Sequence, residues 1–243
     1  MISPFLLIKE VPAHAKSEDA PIERIMGRQE VVATTGVALA IHDMGWERFV
    51  TPVAEDWYRM PLVPALLCFL FAMVMQVDAN FVNDYFDFMK GTDDEQRLGP
   101  KRACAQGWIT ASAMRSGLFV TTLLACIVGL PLVYYGGWEM IMVGLACVVF
   151  CFLYTISFSY IGLGDLLVLV FFGIVPVCMT YWLTAPPTAL TSIPFAVVLM
   201  SIACGLIIDT LLVVNNYRDI DNDRRAGKLT LIVRIGERGG LGE

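Results

Sequence analysis

Charge is scarce in this chain. Asp, Glu, Lys and Arg make up 16% of its 243 residues, against about a quarter in an ordinary soluble domain. Hydrophobic residues make up 57%, and the mean hydropathy is +0.66. This balance excludes an ordinary soluble globule and implies a polytopic membrane protein. Basic residues are outnumbered: the net charge is −6, which argues against a nucleic-acid partner. Histidine is almost missing. His14 and His42 stand alone in a poorly patterned N-terminal stretch and receive no role. The seven cysteines form no C-x-x-C pair, which argues against a disulfide framework. Cys68, Cys126, Cys147, Cys151, Cys178 and Cys204 sit in apolar runs as small buried hydrophobes, and Cys104 alone is in a polar loop. The apolar opening from Ile2 to Ile8 is short and has no basic flank, so a secretory signal is not expected.

What the chain has is long apolar runs. Crossing the hydrocarbon core takes about 20 apolar residues in a helix. Five segments meet this, near residues 61–82, 113–135, 138–157, 166–183 and 193–214. Short breaks at Gly136-Gly137, Gly162-Leu163-Gly164 and Pro186-Pro187 separate four of them. Breaks that short are not linkers, so a single all-α transmembrane domain over 1–243 is expected, with 1–60 poorly patterned and 61–236 carrying the recognisable pattern. Residues 31–41 are apolar but too short to span alone. Residues 18–28 read as a surface segment or disorder.

The basic residues give an orientation. Past Met60 there are eleven Lys or Arg. Lys90, Arg97, Lys101, Arg102 and Arg115 lie in one stretch, and Arg218, Arg224, Arg225, Lys228, Arg234 and Arg238 in the other. By the positive-inside rule both stretches are cytoplasmic. Four spans separate them, and an even number returns the chain to the same side.

These two stretches also hold the clustered oxygen ligands. The first runs from Asn80 through Asn83, Asp84 and Asp87 to Glu95; the second runs from Asn215 and Asn216 through Asp219 and Asp223 to Lys228. The pattern N-[DN]-Y-x-D occurs in both, at 83–87 and 215–219, a weak internal repeat suggesting two half-sites. Asn83 and Asp87 are four apart, as are Asn215, Asp219 and Asp223. On a helix such residues share one face. Carboxylate and amide oxygens suit a hard cation such as Mg²⁺, which takes one or two carboxylates and completes its shell with water and phosphate oxygens. Two facing clusters could hold two or three Mg²⁺ and a diphosphate, and neighbouring Lys and Arg could bind the remaining phosphate oxygens. The bland alternative for either stretch alone is a solvated loop. Matched spacing and a shared side weaken it for the pair, and polar residues at the membrane border point to function. Asp94, Glu95 and Glu237 are left as solvated charges.

N-D-Y-F-D-x-x-x-G-x-D from Asn83, followed by R-L-G-P-K-R-A, and later N-N-Y-R-D-x-x-x-D-x-x-A-G-K-x-T-L from Asn215, resemble the two signature loops of the UbiA superfamily of intramembrane prenyltransferases. Tyr160-Ile-Gly-Leu-Gly-Asp165 followed by Phe171-Phe-Gly173 resembles its MenA branch, the 1,4-dihydroxy-2-naphthoate polyprenyltransferases of menaquinone synthesis. The resemblance covers about residues 61–236 and implies a polytopic helix bundle in the cell's inner membrane. It also implies Mg²⁺-dependent transfer of a polyprenyl group from polyprenyl diphosphate to an aromatic acceptor.

Carried over by position, Asp87, Asp93, Asp219 and Asp223 are the implied metal ligands, with Asp87 and Asp219 essential for turnover. Asn83, Asn215 and Asn216 are implied diphosphate contacts, and Lys101, Arg102 and Lys228 join them by charge and placement. The implied reaction makes the allylic carbon cationic, attaches it to an acceptor ring carbon, and releases the acceptor carboxylate as CO₂. Tyr85, Tyr154 and Tyr217 are candidates to face that cation, with core packing the alternative. The superfamily's usual nine spans lead us to expect a chain truncated beyond Glu243, and its basic-aromatic entry motif is not recognisable. Three other readings remain open: another aromatic or lipid-phosphate acceptor, an inactive membrane fragment, and a cation transporter. The transporter reading calls for acidic residues in mid-span, of which there are almost none.

Overall fold

The structure, a computed structural model, describes residues 29–52, 56–92, 101–185 and 192–239. Asp93, Asp94, Glu95, His14, Pro186-Pro187 and the 18–28 segment lie outside them, as does the side chain of Glu237. The described chain is helical, and five helical stretches are long and apolar enough to cross a membrane.

Helix α1, Gln29–Met44, is followed by a short α2, Trp46–Val50. Helix α3 runs from Leu62 to Lys90. Helix α4, Ala111–Gly129, begins with Thr110 accepting a hydrogen bond from the Ala113 amide at 3.2 Å, a side-chain cap on an otherwise unsatisfied donor. Pro131 interrupts the crossing, which resumes as α5, Leu132–Gly136. Helix α6 is Glu139–Ile156. The fourth crossing joins α7, Gly164–Val168, a wide π turn, Leu169–Ile174, and α8, Val175–Thr184. Pro176, which has no N–H to donate, sits just after the π turn, where the hydrogen-bond ladder has already shifted register. Helix α9, Phe195–Arg218, is the fifth crossing, and α10, Ile220–Arg225, and α11, Leu231–Gly239, follow.

The five expected spans are therefore present, and two run at least a turn further than their apolar residues alone suggest. Helix α3 continues to Lys90 and ends on Gly91, whose φ of 71° is the left-handed cap that glycine adopts without strain. Asn83 and Asp87 consequently stand on the helix, not in a loop after it. Helix α9 likewise carries Asn215 and Asn216 on its last turn.

The bundle is packed for lipid. Phe119, Ile127, Phe195 and Ile207 stay more than half exposed on the outer faces, which only a hydrocarbon solvent tolerates in such number. Interior crossings are close. A Cβ on Gly173 would lie 2.4 Å from Gly205 Cα, so these two glycines let the fourth and fifth crossings touch backbone to backbone. Helix α1 is too short to cross alone, and it packs into the bundle. Val32 and Ala40 are buried with Val177, Cys178, Tyr181 and Val197, and the Tyr181 hydroxyl donates to Asp43 Oδ2 at 2.6 Å. Asp78 is wholly buried between α3 and α4, where Thr121 and Thr122 donate to it at 2.5 and 3.0 Å. These hydroxyls satisfy an oxygen that lipid would leave bare.

Candidate active site

The last four turns of α3 present Gln76, Asn80, Asn83 and Asp87 in steps of four, three and four, so one helical face is polar. That face lines a cavity of about 1270 Å³, above the usual 300–1,000 Å³ of ligand pockets. Its upper walls carry Lys101, Arg102, Asn215, Asn216, Asp219, Asp223 and Lys228. Its lower walls are apolar and reach Leu130, Val133, Met140 and Leu183 at the opposite ends of the crossings. Each expected metal-ligand or diphosphate-contact residue that falls among the described residues therefore lines one cavity, at its polar end.

The polar end is tied together by side chains that the sequence pattern did not single out. Asn222 donates its side-chain amide to the Thr92 carbonyl at 2.9 Å, joining the two Asp-bearing segments directly. The Thr92 and Tyr160 hydroxyls are 2.7 Å apart. The Leu229 amide donates to the Tyr160 carbonyl at 3.0 Å. Tyr160 thus stands between the segments and touches both. Lys90 packs its ammonium 3.9 Å from the centre of the Tyr160 ring and donates to the Thr155 and Ile156 carbonyls at the end of α6, at 3.2 and 2.5 Å. A cation there complements a helix C-terminus and an aromatic face at once. Thr155 in turn donates its hydroxyl to the Asn83 side-chain carbonyl, which fixes the amide orientation of Asn83.

Asp84 has a different task from its neighbours. It accepts the Ala103 and Cys104 amides at 2.9 and 3.1 Å, anchoring the turn that delivers Lys101 and Arg102 to the cavity. Cys104 is buried beside it, and its thiol is pushed up to about 12, first by burial and then by the Asp84 charge. It remains a neutral thiol.

In the second segment the helix changes direction at Asp219, yet the four-residue ladder continues. The Asp219 amide donates to Asn215 and the Asp223 amide to Asp219, at 3.0 and 2.9 Å. The shared face of Asn215, Asp219 and Asp223 survives the bend. Arg218 forks onto Asp219 at 2.9 and 2.8 Å, and Asp223 is buried. Of the three tyrosines weighed from the sequence, Tyr154 lines the cavity. Tyr85 and Tyr217 do not; Tyr217 is 68% exposed.

Among the described residues no three His, Cys, Asp or Glu side chains gather into a self-sufficient metal site. The oxygen donors on the cavity wall instead suit a hard divalent cation that takes few protein carboxylates and the rest from phosphate and water. The charge layout matches, since Lys101, Arg102, Arg218 and Lys228 line the same end as the carboxylates.

An all-helical, multi-pass membrane protein whose apolar cavity ends in a carboxylate-, amide- and guanidinium-lined mouth is the class that these features define. The chain belongs to the UbiA prenyltransferase family, whose sequence profile matches residues 32–242. It is similar to the 1,4-dihydroxy-2-naphthoate octaprenyltransferase of Escherichia coli (strain K12), with 40% identity over 206 residues that cover 80% of this chain and 65% of the relative. The Haemophilus influenzae protein of the same name is 37% identical over 180 residues, covering 70% of this chain and 57% of the relative. Human UbiA prenyltransferase domain-containing protein 1 is 32% identical over 223 residues, covering 82% and 60%. The chain thus spans 57% to 65% of the length of these relatives. No solved structure matches it.

Proposed function

We propose that the chain carries an aromatic prenyltransferase that moves a polyprenyl group from polyprenyl diphosphate to 1,4-dihydroxy-2-naphthoate, giving CO₂, diphosphate and demethylmenaquinol, the reduced form of demethylmenaquinone. In this reading residues 1–243 belong to one domain, the protein sits in the cell's inner membrane, and the polar mouth faces the cytoplasm, as the basic residues flanking it suggest. The observation that carries the reading is the convergence of both Asp-bearing segments, tied by Asn222 and Thr92, on one end of an apolar cavity. A ligand with a long apolar tail and a doubly phosphorylated head matches such a cavity at both ends. The names of the bacterial relatives supply the acceptor.

Lys101, Arg102 and Lys228 donate to the diphosphate oxygens, with Asn83, Asn215 and Asn216 as neutral partners. Asp87, Asp93, Asp219 and Asp223 are the residues that would hold Mg²⁺. Bound Mg²⁺ supplies the charge neutralisation that lets diphosphate depart. Arg218 orients Asp219 toward that task. The apolar walls keep water away from the allylic carbon as it becomes cationic, and Tyr154 offers an aromatic face in the cavity wall. The acceptor ring carbon then forms the new bond to the allylic carbon, and the ring regains its aromaticity by releasing the acceptor carboxylate as CO₂.

The reading is tested with radiolabelled polyprenyl diphosphate and membranes containing the protein, offering 1,4-dihydroxy-2-naphthoate, 4-hydroxybenzoate and homogentisate in competition. Label on the naphthoate product is expected. Label on one of the other acceptors would move the protein to a different branch of the family.

A further inference from the structure

Beside the Asp-lined mouth, a second recess opens between α6, α7 and the segment after α10. Tyr154, Ser159, Asn216 and Lys228 line both the recess and the main cavity, and Asp165 and Thr230 close the recess behind them. Three buried oxygens in this part of the bundle have no hydrogen-bond partner: Ser159 Oγ, Asp165 Oδ1 and Asp209 Oδ1. Ser159 is only 4% exposed. Asp165 and Asp209 both act electrostatically on the Tyr154 hydroxyl, and Asp165 acts on Asp209. Asp87 and Asp223, from the main site, also act on that hydroxyl. Buried polar atoms are nearly always hydrogen-bonded, and a bare buried carboxylate oxygen is costly. The two that line the recess, Ser159 Oγ and Asp165 Oδ1, are acceptors awaiting a donor.

The space decides what kind of donor. The recess holds about 10 Å³, close to one water-sized sphere. One hydroxyl oxygen fits. A carboxylate, with three heavy atoms and a charge of the same sign as Asp165, does not. Because four lining residues are shared with the mouth, a group seated in the recess lies next to the side chains assigned to the diphosphate.

We propose that Asp165 and Ser159 form a subsite for a hydroxyl of the aromatic acceptor, with the Asp165 carboxylate accepting the hydroxyl proton in a hydrogen bond. The inference rests on the function proposed above. In 1,4-dihydroxy-2-naphthoate the 1-hydroxyl is adjacent to the carboxylate and is tied to it internally, which leaves the 4-hydroxyl as the free donor. Seated in the recess, that hydroxyl orients the ring toward the allylic carbon. As the ring gives up electrons to the new bond, the hydroxyl becomes more acidic and its bond to Asp165 strengthens, so the contact favours the transition state over the ground state. Asp165 is thus a specificity-determining and positioning residue, separate from the diphosphate machinery.

The test is a cycle in which both partners are altered. Binding of 1,4-dihydroxy-2-naphthoate and of 1-hydroxy-2-naphthoate, which lacks the 4-hydroxyl, is measured on the purified protein in detergent, for the unaltered chain, Asp165→Asn and Ser159→Ala. A site built to accept a hydroxyl discriminates strongly against the analogue lacking it. The unaltered protein is expected to favour the dihydroxy ligand by about tenfold or more, and Asp165→Asn to lose most of that preference while binding polyprenyl diphosphate normally. Normal diphosphate binding shows that the variant is folded. Ser159→Ala is expected to lose part of the preference. Equal preference in the unaltered protein and Asp165→Asn overturns the subsite and leaves the proposed reaction standing. Absence of dihydroxynaphthoate binding in the unaltered protein overturns both.

Discussion

The side-chain amide of Asn222 donates to the backbone carbonyl of Thr92 at 2.9 Å, across 130 residues of chain. This bond fixes the distance between the two Asp-bearing segments, so neither is a half-site that drifts on a loop. Replacing Asn222 with Ala removes it. The stability cost is small, about 1 kcal/mol for one hydrogen bond. The kinetic cost is larger, because a displacement of the order of 1 Å can lower turnover by as much as about a hundredfold. Thermal unfolding and steady-state prenyl transfer on the same preparation should separate the two, with a minor change in the first and a major loss in the second.

Asp84 holds the turn that carries Lys101 and Arg102. Asp84→Ala leaves the Ala103 and Cys104 amides without their carboxylate and should cost about 1.5–3 kcal/mol per hydrogen bond to a charged group at most. Affinity for polyprenyl diphosphate should fall with it. Asp84→Asn keeps one acceptor oxygen and should recover part of both. A variant with unchanged diphosphate affinity would show that the turn holds its shape without Asp84.

Lys90 and Lys101 look alike in the sequence, both basic and both beside the first Asp cluster. Their places differ. Lys101 lines the cavity, whereas Lys90 is spent on the end of α6 and the Tyr160 ring. Lys90→Met should therefore lower stability by about 1–2 kcal/mol while leaving the KM for polyprenyl diphosphate near normal. Lys101→Met should do the reverse. Unfolding curves and KM values for both variants check the contrast.

The spans were legible because twenty apolar residues in a row have few other solutions, and four-residue spacing gave the shared face of Asn83 with Asp87 and of Asn215 with Asp219 and Asp223. The spacing placed Asn83 and Asp87 on a helical face, but the end of α3 at Lys90 was not legible, because polar residues after an apolar run look like a loop until Gly91 is seen to cap the helix. The separate task of Asp84 was hidden for a related reason. Its partners are backbone amides 19 and 20 residues away, and amides leave no mark in a sequence. Tyr154, Tyr85 and Tyr217 were equal candidates in one dimension, and only packing turned Tyr154 toward the cavity and Tyr217 outward. Ser159 and Asn222 carry no motif signal of their own and were found by their neighbours.

Gly173 and Gly205 allow the fourth and fifth crossings to meet. Gly173→Ala places a methyl 2.4 Å from Gly205 Cα, a clash with backbone that side-chain motion cannot relieve, and should cost about 1–3 kcal/mol. Gly144→Ala is the control, since nothing lies within 4 Å of the added carbon there. Lower thermal stability in the first variant and not the second is the expected pattern.

The central claim is that Asp87 and Asp219 act through a bound divalent cation at the end of the apolar cavity. The most direct measurement is prenyl transfer to 1,4-dihydroxy-2-naphthoate in membranes containing the unaltered protein, Asp87→Ala or Asp219→Ala, each with Mg²⁺ and with EDTA. The account predicts product only from the unaltered protein with Mg²⁺. Undiminished transfer in EDTA, or near-normal turnover by either variant, would contradict it.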